Sequence, residues 1–186
     1  MNRIAAWIRD QFEALKPQLD DLLLPLIRHF EGYYANWYKC SSNVPTIGYG
    51  HTGSMLGLEP EPWAEAYAAW VLSEHDLKGK YIPATMEACA KAGIDFTKLS
   101  VAQQAVFISM CYNAGPGSIT GGTWVKRFKS RKPRAEVEQA FYRWNKSGGK
   151  VSPGLVRRRF SEMVLFWEGR VDFEPEGWRE YYELHS

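Results

Sequence analysis

The stretch that decides the fold is HFEGYYANWYKCSSNVPTIGYGHTG, residues 29–53. Its many aromatic and β-branched residues favour β-strands. Asn43 and Pro45 interrupt the run and divide it into short pieces. Gly48 and Gly50 alternate with larger residues, a pattern typical of a place where the backbone bends or another group comes close. We therefore predict a small antiparallel sheet or hairpin here.

Helical patterns lie on both sides of this stretch. Residues 3–15 have the spacing of an amphipathic helix, and a second helix is predicted to follow Pro17 and to end at Glu31, where the next residue, Gly32, permits a left-handed stop. Ser100 and Gln103 resemble a capping box. Further helices are predicted over residues 62–78, 101–112, 135–144 and 155–167. The predicted class is α+β, a short sheet beside a larger helical body.

The chain is one folding unit by its bulk properties. Its 186 residues suffice for one well-buried domain, and no repeat or low-complexity linker divides them. Three cysteines, Cys40, Cys89 and Cys111, are an odd number without a repeated spacing, which argues against a disulfide framework and for a reducing compartment. No Cys/His grouping indicates a metal.

Targeting signals are not evident. The first twenty residues mix charges with apolar positions, unlike a secretory signal. The longest apolar stretch, residues 22–27, is too short to cross a bilayer. We expect folding in the cytoplasm of the cell that makes the protein and no stable membrane insertion.

Positive charge is concentrated between residues 120 and 160, although the formal net charge is only +2. Such a segment attracts a polyanion, whether nucleic acid, an acidic membrane or an anionic cell wall, but it is equally compatible with a solvated helix face. No zinc-finger, basic-zipper or RNA-recognition signature accompanies it, which disfavours nucleic acid. The basic residues are Lys126, Arg127, Lys129, Arg131, Lys132, Arg134, Arg143, Lys146, Lys150, Arg157, Arg158 and Arg159.

Glu31 is the first candidate catalytic residue. It ends an apolar helix just before the aromatic stretch, and a carboxyl group in such a partly dry place tends to keep its proton, which suits a general acid. A solvated glutamate at a helix end is the ordinary interpretation of a single Glu. The neighbours change that: eight residues separate Glu31 from Cys40, and five separate Cys40 from Thr46.

This spacing, followed by TIGYGH at 46–51, resembles the active-site segment of the phage lysozymes, glycoside hydrolase family 24, which has a Glu, an Asp or Cys, and a Thr at these separations. QQAVFISMCYNAG at 103–115 and the segment 144–159 resemble two further blocks of the family. The resemblance covers about residues 18–168. It implies one lysozyme-like catalytic domain over residues 1–186, with a sheet lobe, a helical lobe, Glu31 at the base of the cleft between them, and terminal extensions.

The resemblance also implies roles for individual residues. Glu31 is expected to be the general acid, Cys40 to occupy the second catalytic position and Thr46 to place a water molecule. An arginine among residues 157–159 is expected to pair with Glu31. The substrate cleft is expected to include Tyr112, Asn113 and Gly50, with His51 as a structural hydrogen-bonding residue nearby.

The implied activity is hydrolysis of the β-1,4 bond between N-acetylmuramic acid and N-acetylglucosamine in peptidoglycan, causing host lysis at phage release. No cofactor is implied. The expected protein is a monomer whose partner is the glycan strand. It is expected to stay in the host cytoplasm until a separate holin-like protein lets it reach the cell wall or periplasm.

Cys40 leaves the mechanism open. A carboxylate usually stabilises or captures the oxocarbenium-like carbon, whereas a thiol of ordinary pKa, about 8.5, is only a few per cent ionised at neutral pH. A Cys40-guided water would invert the anomeric centre, and a covalent thioglycoside would retain it. Cys40 is also compatible with a small buried hydrophobe, our preferred interpretation of Cys89 and Cys111.

Two rival functions remain. A cell-wall peptidase would use Cys40 as nucleophile with His51 or His29 as base, but this leaves the Glu and Thr spacing unexplained. A binding module would hold peptidoglycan without cutting it, with the basic segment providing attraction. Released amino groups would identify the first, and binding without lysis the second.

Overall fold

The computed structural model describes residues 3–40, 43–52 and 62–186, with side chains from residue 16 onward. A 3-10 turn, Phe96–Lys98, and a π-helical segment, Val71–Tyr81, accompany the regular elements. In chain order the helices and strands are α1 (Arg3–Glu31), β1 (Tyr34–Lys39), β2 (Pro45–Gly48), α2 (Glu65–Trp70), α3 (Ile82–Ala92), α4 (Val101–Ala114), α5 (Gly117–Thr120), α6 (Thr123–Lys129), α7 (Arg134–Phe141), β3 (Lys146–Ser147), β4 (Lys150–Val151), α8 (Pro153–Glu168) and α9 (Trp178–His185).

Helix α1 is continuous, so the prediction of two helices separated at Pro17 is wrong. Both Pro17 and Pro25 lie inside it. An interior proline costs roughly 3 kcal/mol, and burial of one apolar face against α4 offsets that cost. The predicted amphipathic face of residues 3–15 concerns side chains outside the described part. Among the side chains of α1 that the structure describes, those from residue 16 onward, the fully buried ones are Leu19, Leu23, Leu26 and Ile27.

The predicted antiparallel sheet is confirmed. Strand β1 pairs with β2, with Tyr34 opposite Gly48 and Tyr38 opposite Thr46. Gly48 has φ +63°, and a Cβ there would lie 3.1 Å from a ring carbon of Trp63. This close approach explains why glycine occupies the position.

Two elements depart from the sequence prediction in extent. The helix predicted over 62–78 begins at Glu65 and runs through the π-helical segment into α3, ending only at Gly93, which has φ +73°. Gly148 and Gly149, between the helices predicted over 135–144 and 155–167, form a tight turn in which both residues have positive φ. It joins the two-residue strands β3 and β4 into a second antiparallel hairpin.

Helix α4 is the centre of the helical body, in contact with α1 on one side and α8 on another. The predicted capping box opens it: the Gln103 N–H donates to Ser100 Oγ at 3.2 Å, and the Ser100 N–H donates to Gln103 Oε1 at 3.0 Å. Cys89 and Cys111 are buried, as expected of small hydrophobes. The C-terminal helix α9 packs on α8.

The small sheets beside a larger helical body confirm the α+β class. Among the described residues, we find no helix with the length and apolar character needed to cross a membrane.

Candidate active site

Glu31 lies at the junction of the helical body and the first sheet. It is the last residue of α1, and its side chain is 21% exposed. The C-terminal end of a helix disfavours a negative charge, but Arg158 of α8 donates from Nη1 to Glu31 Oε1 at 2.5 Å. Arg158 is therefore the residue of the 157–159 group that pairs with Glu31.

A buried ionic network supports Arg158 from behind. Glu162 is fully buried and accepts hydrogen bonds from Ser109 Oγ at 2.6 Å and from Arg158 Nε at 3.2 Å. Its second oxygen lies 3.1 Å from Nε of the buried Arg159. Two arginines and two glutamates balance in charge, which lets guanidinium groups lie in the protein interior.

The two guanidinium groups differ in their electrostatic environment. Burial by itself lowers the pKa of Arg158, but the charges and hydrogen bonds of Glu31 and Glu162 raise it above its ordinary value. Burial lowers the pKa of Arg159 to about 10, because Glu162 compensates only in part. Arg158 therefore presents a permanent positive charge to Glu31.

On its other side, Glu31 meets the loop after β2. The Tyr112 hydroxyl of α4 donates to the Tyr49 carbonyl at 2.7 Å. Gly50 has φ +92°, and a Cβ there would lie 3.1 Å from Tyr112 Oη and 3.2 Å from Glu31 Oε2. Burial, reinforced by the charge of Glu31, raises the pKa of Tyr112 well above its usual range, so its hydroxyl stays a neutral donor.

Cys40 directly follows β1, Thr46 lies in β2, and the two residues share an acceptor. The Val44 carbonyl accepts the Cys40 N–H at 3.1 Å and the Thr46 hydroxyl at 2.9 Å. Thr46 is 3% exposed and Cys40 is half-buried. The Thr46 oxygen donates its proton to Val44 and keeps lone pairs that can accept one from water.

Tyr38, which the sequence analysis did not single out, connects Glu31 with the Cys40 end of β1. Burial raises the pKa of Tyr38, and the neighbouring Tyr34, Glu31 and Cys40 raise it further. The phenol is therefore within electrostatic reach of both candidate catalytic groups. Its place near the end of β1, two residues before Cys40, could have signalled this, because alternate residues of an extended chain lie on one face.

A cleft of about 680 Å³ opens beside Glu31 on the α8 side. Asn113 lines it and accepts from Arg159 Nη2 at 2.6 Å. In the part of the chain that the structure describes, its lining does not include Cys40, Thr46, Gly50 or Tyr112, so the predicted site residues fall on two sides of Glu31. The contribution of the β3–β4 hairpin to the lining of this cleft was not predicted from the sequence. The charged lining residues are Glu31, Arg143, Lys146, Arg157 and Arg158.

The basic segment is not one solvated face, which corrects the simplest interpretation of its sequence. Arg158 and Arg159 belong to the buried network. Arg157 is paired with Glu174 at 2.5 Å. What remains exposed includes Arg143 and Lys146 at the cleft.

His51 is buried, and its Nδ1 lies 2.8 Å from Asp76 Oδ1. The backbone groups of His51 also pair with Ile47. This agrees with the structural hydrogen-bonding role expected for His51.

A helical body and a small sheet that meet at one glutamate define a lysozyme-like protein. The model of the phage lysozyme family matches residues 28–162, and the chain belongs to this family. The prediction of a phage-type lysozyme is thus confirmed at the level of the family.

Similar proteins agree with this assignment. The chain is 33% identical over 156 residues to the endolysin of Bacillus phage PZA, covering 82% of this chain and 56% of that protein. It is 31% identical to the endolysin of Bacillus phage B103, covering 77% and 52%. The chain thus spans about half the length of these relatives. The solved muramidase domain of SpmX from Asticaccaulis excentricus is 26% identical, with a TM-score of 0.60 and coverage of 77% of this chain and 93% of that one, confirming the lysozyme-like fold.

Proposed function

We propose that this chain is a muramidase that hydrolyses the β-1,4 bond between N-acetylmuramic acid and N-acetylglucosamine in bacterial peptidoglycan. One observation carries the proposal: a partly exposed glutamate stands at the edge of a cleft, between a buried ionic network and the sheet that bears Cys40 and Thr46. Glycoside cleavage requires a proton donor and a second group on the sugar carbon, and this arrangement offers both.

In this mechanism Glu31 protonates the departing glycosidic oxygen. Cys40 acts either as a nucleophile or as the group that activates water, in place of a carboxylate. Thr46 positions the water, because its hydroxyl orientation is fixed by the bond to the Val44 carbonyl.

Arg158 is a positioning residue for Glu31. The short contact fixes one carboxyl oxygen and leaves the other, Oε2, facing Gly50. Glu162 also forms an ion pair with Arg158, so the buried guanidinium is neutralised by two carboxylates and not by Glu31 alone. A carboxyl group that must both hold and release a proton benefits from such sharing.

Substrate binding is proposed to use both sides of Glu31. Tyr112 and Gly50 shape the sheet side, and Asn113 the cleft side. Arg143 and Lys146 give the cleft positive charge that attracts the carboxylates of peptidoglycan. We further propose that residues 1–186 act as one catalytic unit and as a monomer, and that a holin-like protein releases the enzyme from the host cytoplasm to the wall.

Purified peptidoglycan provides the test. Glu31→Gln should reduce muropeptide release by about 10²–10⁴-fold, the usual contribution of a general acid, while Glu87→Gln, an exposed carboxyl on α3, should leave it unchanged. Mass analysis should show new reducing ends on N-acetylmuramic acid. Full activity of Glu31→Gln would contradict the proposal.

The same assay separates the rival functions. New free amino groups without reducing ends would establish a peptidase. Cosedimentation with peptidoglycan without any released product would establish a binding module.

A further inference from the structure

Three metal-ligating side chains meet where the first sheet contacts the π-helical segment. His51 Nδ1 lies 2.8 Å and His75 Nδ1 3.0 Å from the same oxygen, Asp76 Oδ1. One donor atom from each residue lies within 4.8 Å of the other two. None of these side chains takes part in the mechanism proposed above.

The donor set suits Zn²⁺. Imidazole nitrogen and carboxylate oxygen bind zinc at about 2.0–2.1 Å, which places tetrahedral ligands about 3.3 Å apart. The two separations from Asp76 Oδ1, 2.8 and 3.0 Å, are a few tenths of an ångström shorter, so a small outward movement of this oxygen admits the ion. Calcium and magnesium prefer sets made of oxygen atoms, and two imidazoles disfavour them.

Two of the three candidate ligands are buried and the third is exposed, an arrangement that suits a bound ion. His51 is 3% exposed and Asp76 is almost as buried, so two donors are held by packing. The His75 side chain is 51% exposed, which gives the ion an entry route and leaves room for water as a fourth ligand. Among the described residues, Nε2 of His51 has no hydrogen-bond partner, so Asp76 is the polar contact that orients this ring.

We propose that His51, His75 and Asp76 form a Zn²⁺-binding site. His51 exchanges backbone hydrogen bonds with Ile47, which is adjacent to Thr46, whereas His75 and Asp76 belong to Val71–Tyr81. The ion links the first sheet to the helical body with two ligands on one side and one on the other. The sequence shows no metal motif because His51 is 24 positions distant from His75 and its neighbour Asp76.

The experiment uses the full chain, freed of metal with a chelator and titrated with Zn²⁺ in a calorimeter. We expect one saturable site. His75→Asn should weaken binding at least tenfold, because it removes one of three ligands without emptying a buried position. His185→Asn, an exposed histidine on α9, and Cys40→Ser should bind Zn²⁺ as the original chain does.

Thermal unfolding gives an independent readout. Above the dissociation constant, each tenfold increase in free Zn²⁺ should raise Tm by about 3–5 °C in a chain of this size, and Ca²⁺ should have no such effect. Two outcomes would overturn the proposal: no saturable binding by the original chain, or unchanged affinity in His75→Asn. Neither readout involves glycan cleavage, so the result is independent of the proposed muramidase activity.

Discussion

Glu31 and Glu162 are held by the same guanidinium. Arg158 donates from Nη1 to Glu31 at 2.5 Å and from Nε to Glu162 at 3.2 Å. One carboxyl is partly exposed at the cleft and the other is fully buried. Any change in the buried group therefore reaches the candidate general acid through one rigid, planar cation.

Glu162→Gln tests this connection. We expect a loss of about 3–5 kcal/mol in the free energy of unfolding, because two buried guanidinium groups would be left with one carboxylate. We also expect muropeptide release to fall, since Arg158 would lose the buried carboxylate that holds its guanidinium and would place Glu31 less firmly. Chemical denaturation and the rate of muropeptide release give the two values.

The control lies on the same helix. Glu168→Gln removes an exposed partner of Arg134 and Arg170, and exposed pairs contribute less than about 1 kcal/mol. A Glu162→Gln variant that unfolds at lower denaturant concentration but keeps its rate of muropeptide release would assign Glu162 a structural role only.

Cys40→Ser and Cys40→Asp distinguish the modes of the second catalytic group. Cys40→Ser should lose most muropeptide release, because a hydroxyl ionises far less readily than a thiol. Cys40→Asp should restore activity if the role is to activate water. The anomeric configuration of the first product, followed by NMR, reports inversion for an activated water and retention for a thioglycoside. Unchanged activity in Cys40→Ser would remove Cys40 from the mechanism.

Gly50→Ala should damage stability and activity together. Its backbone has φ +92°, and the new methyl group would meet Tyr112 Oη and Glu31 Oε2 at 3.1 and 3.2 Å. We expect a destabilisation of about 1–3 kcal/mol. Gly79→Ala, a glycine of ordinary φ inside the π-helical segment, should instead gain about 0.5–1 kcal/mol. Equal effects in both variants would contradict the close approach at Gly50.

Salt should weaken lysis, since positive charge at the cleft attracts an anionic wall through screened interactions. Arg143→Gln and Lys146→Gln should each lower activity at low ionic strength and make it less sensitive to added NaCl. Lys132→Gln, an exposed change outside the cleft lining, should not. Turbidity loss of cell-wall suspensions across a salt series measures this. A flat response in the original chain would remove the electrostatic role.

The buried Cys89 thiol makes the free energy of unfolding depend on pH in the alkaline range. Burial raises the pKa of its thiol to about 12, whereas an unfolded chain ionises this thiol near pH 9. The folded state therefore loses about 1.4 kcal/mol per pH unit from this group between about pH 9 and 12. Cys89→Ala removes the dependence, so its stability deficit at pH 7 should shrink as the pH rises to 10. Parallel stability curves for the two proteins would contradict this.

Local chemistry made several elements predictable. The capping box at Ser100 and the glycine after Glu31 act over three or four residues, which a sequence displays directly. The helix end predicted at Pro17 was wrong because the local cost of an interior proline is outweighed by burial of one face of α1 against α4. This contact joins segments that are distant in the sequence. The helical run that begins with α2 continues past Gly79 into α3, although glycine disfavours helix, and tertiary contacts again outweigh the local preference.

In the candidate site, too, local features could be predicted and contacts between distant segments could not. The spacing of Glu31, Cys40 and Thr46 is sequential and could be seen, whereas Arg158 could be placed only within a run of three arginines. Glu162 was missed altogether, because its role arises from the packing of α8 on α4, where it meets Ser109. No sequence periodicity distinguishes a buried glutamate from a solvated one.

The acceptor that joins Cys40 and Thr46 is a main-chain oxygen, that of Val44. Its side chain is exposed and plays no part in either hydrogen bond. Position 44 can therefore drift to other residues over evolutionary time while the spacing of the two groups is kept. Selection would act on the position of the main-chain carbonyl at residue 44, and a comparison of residue identities alone would overlook it.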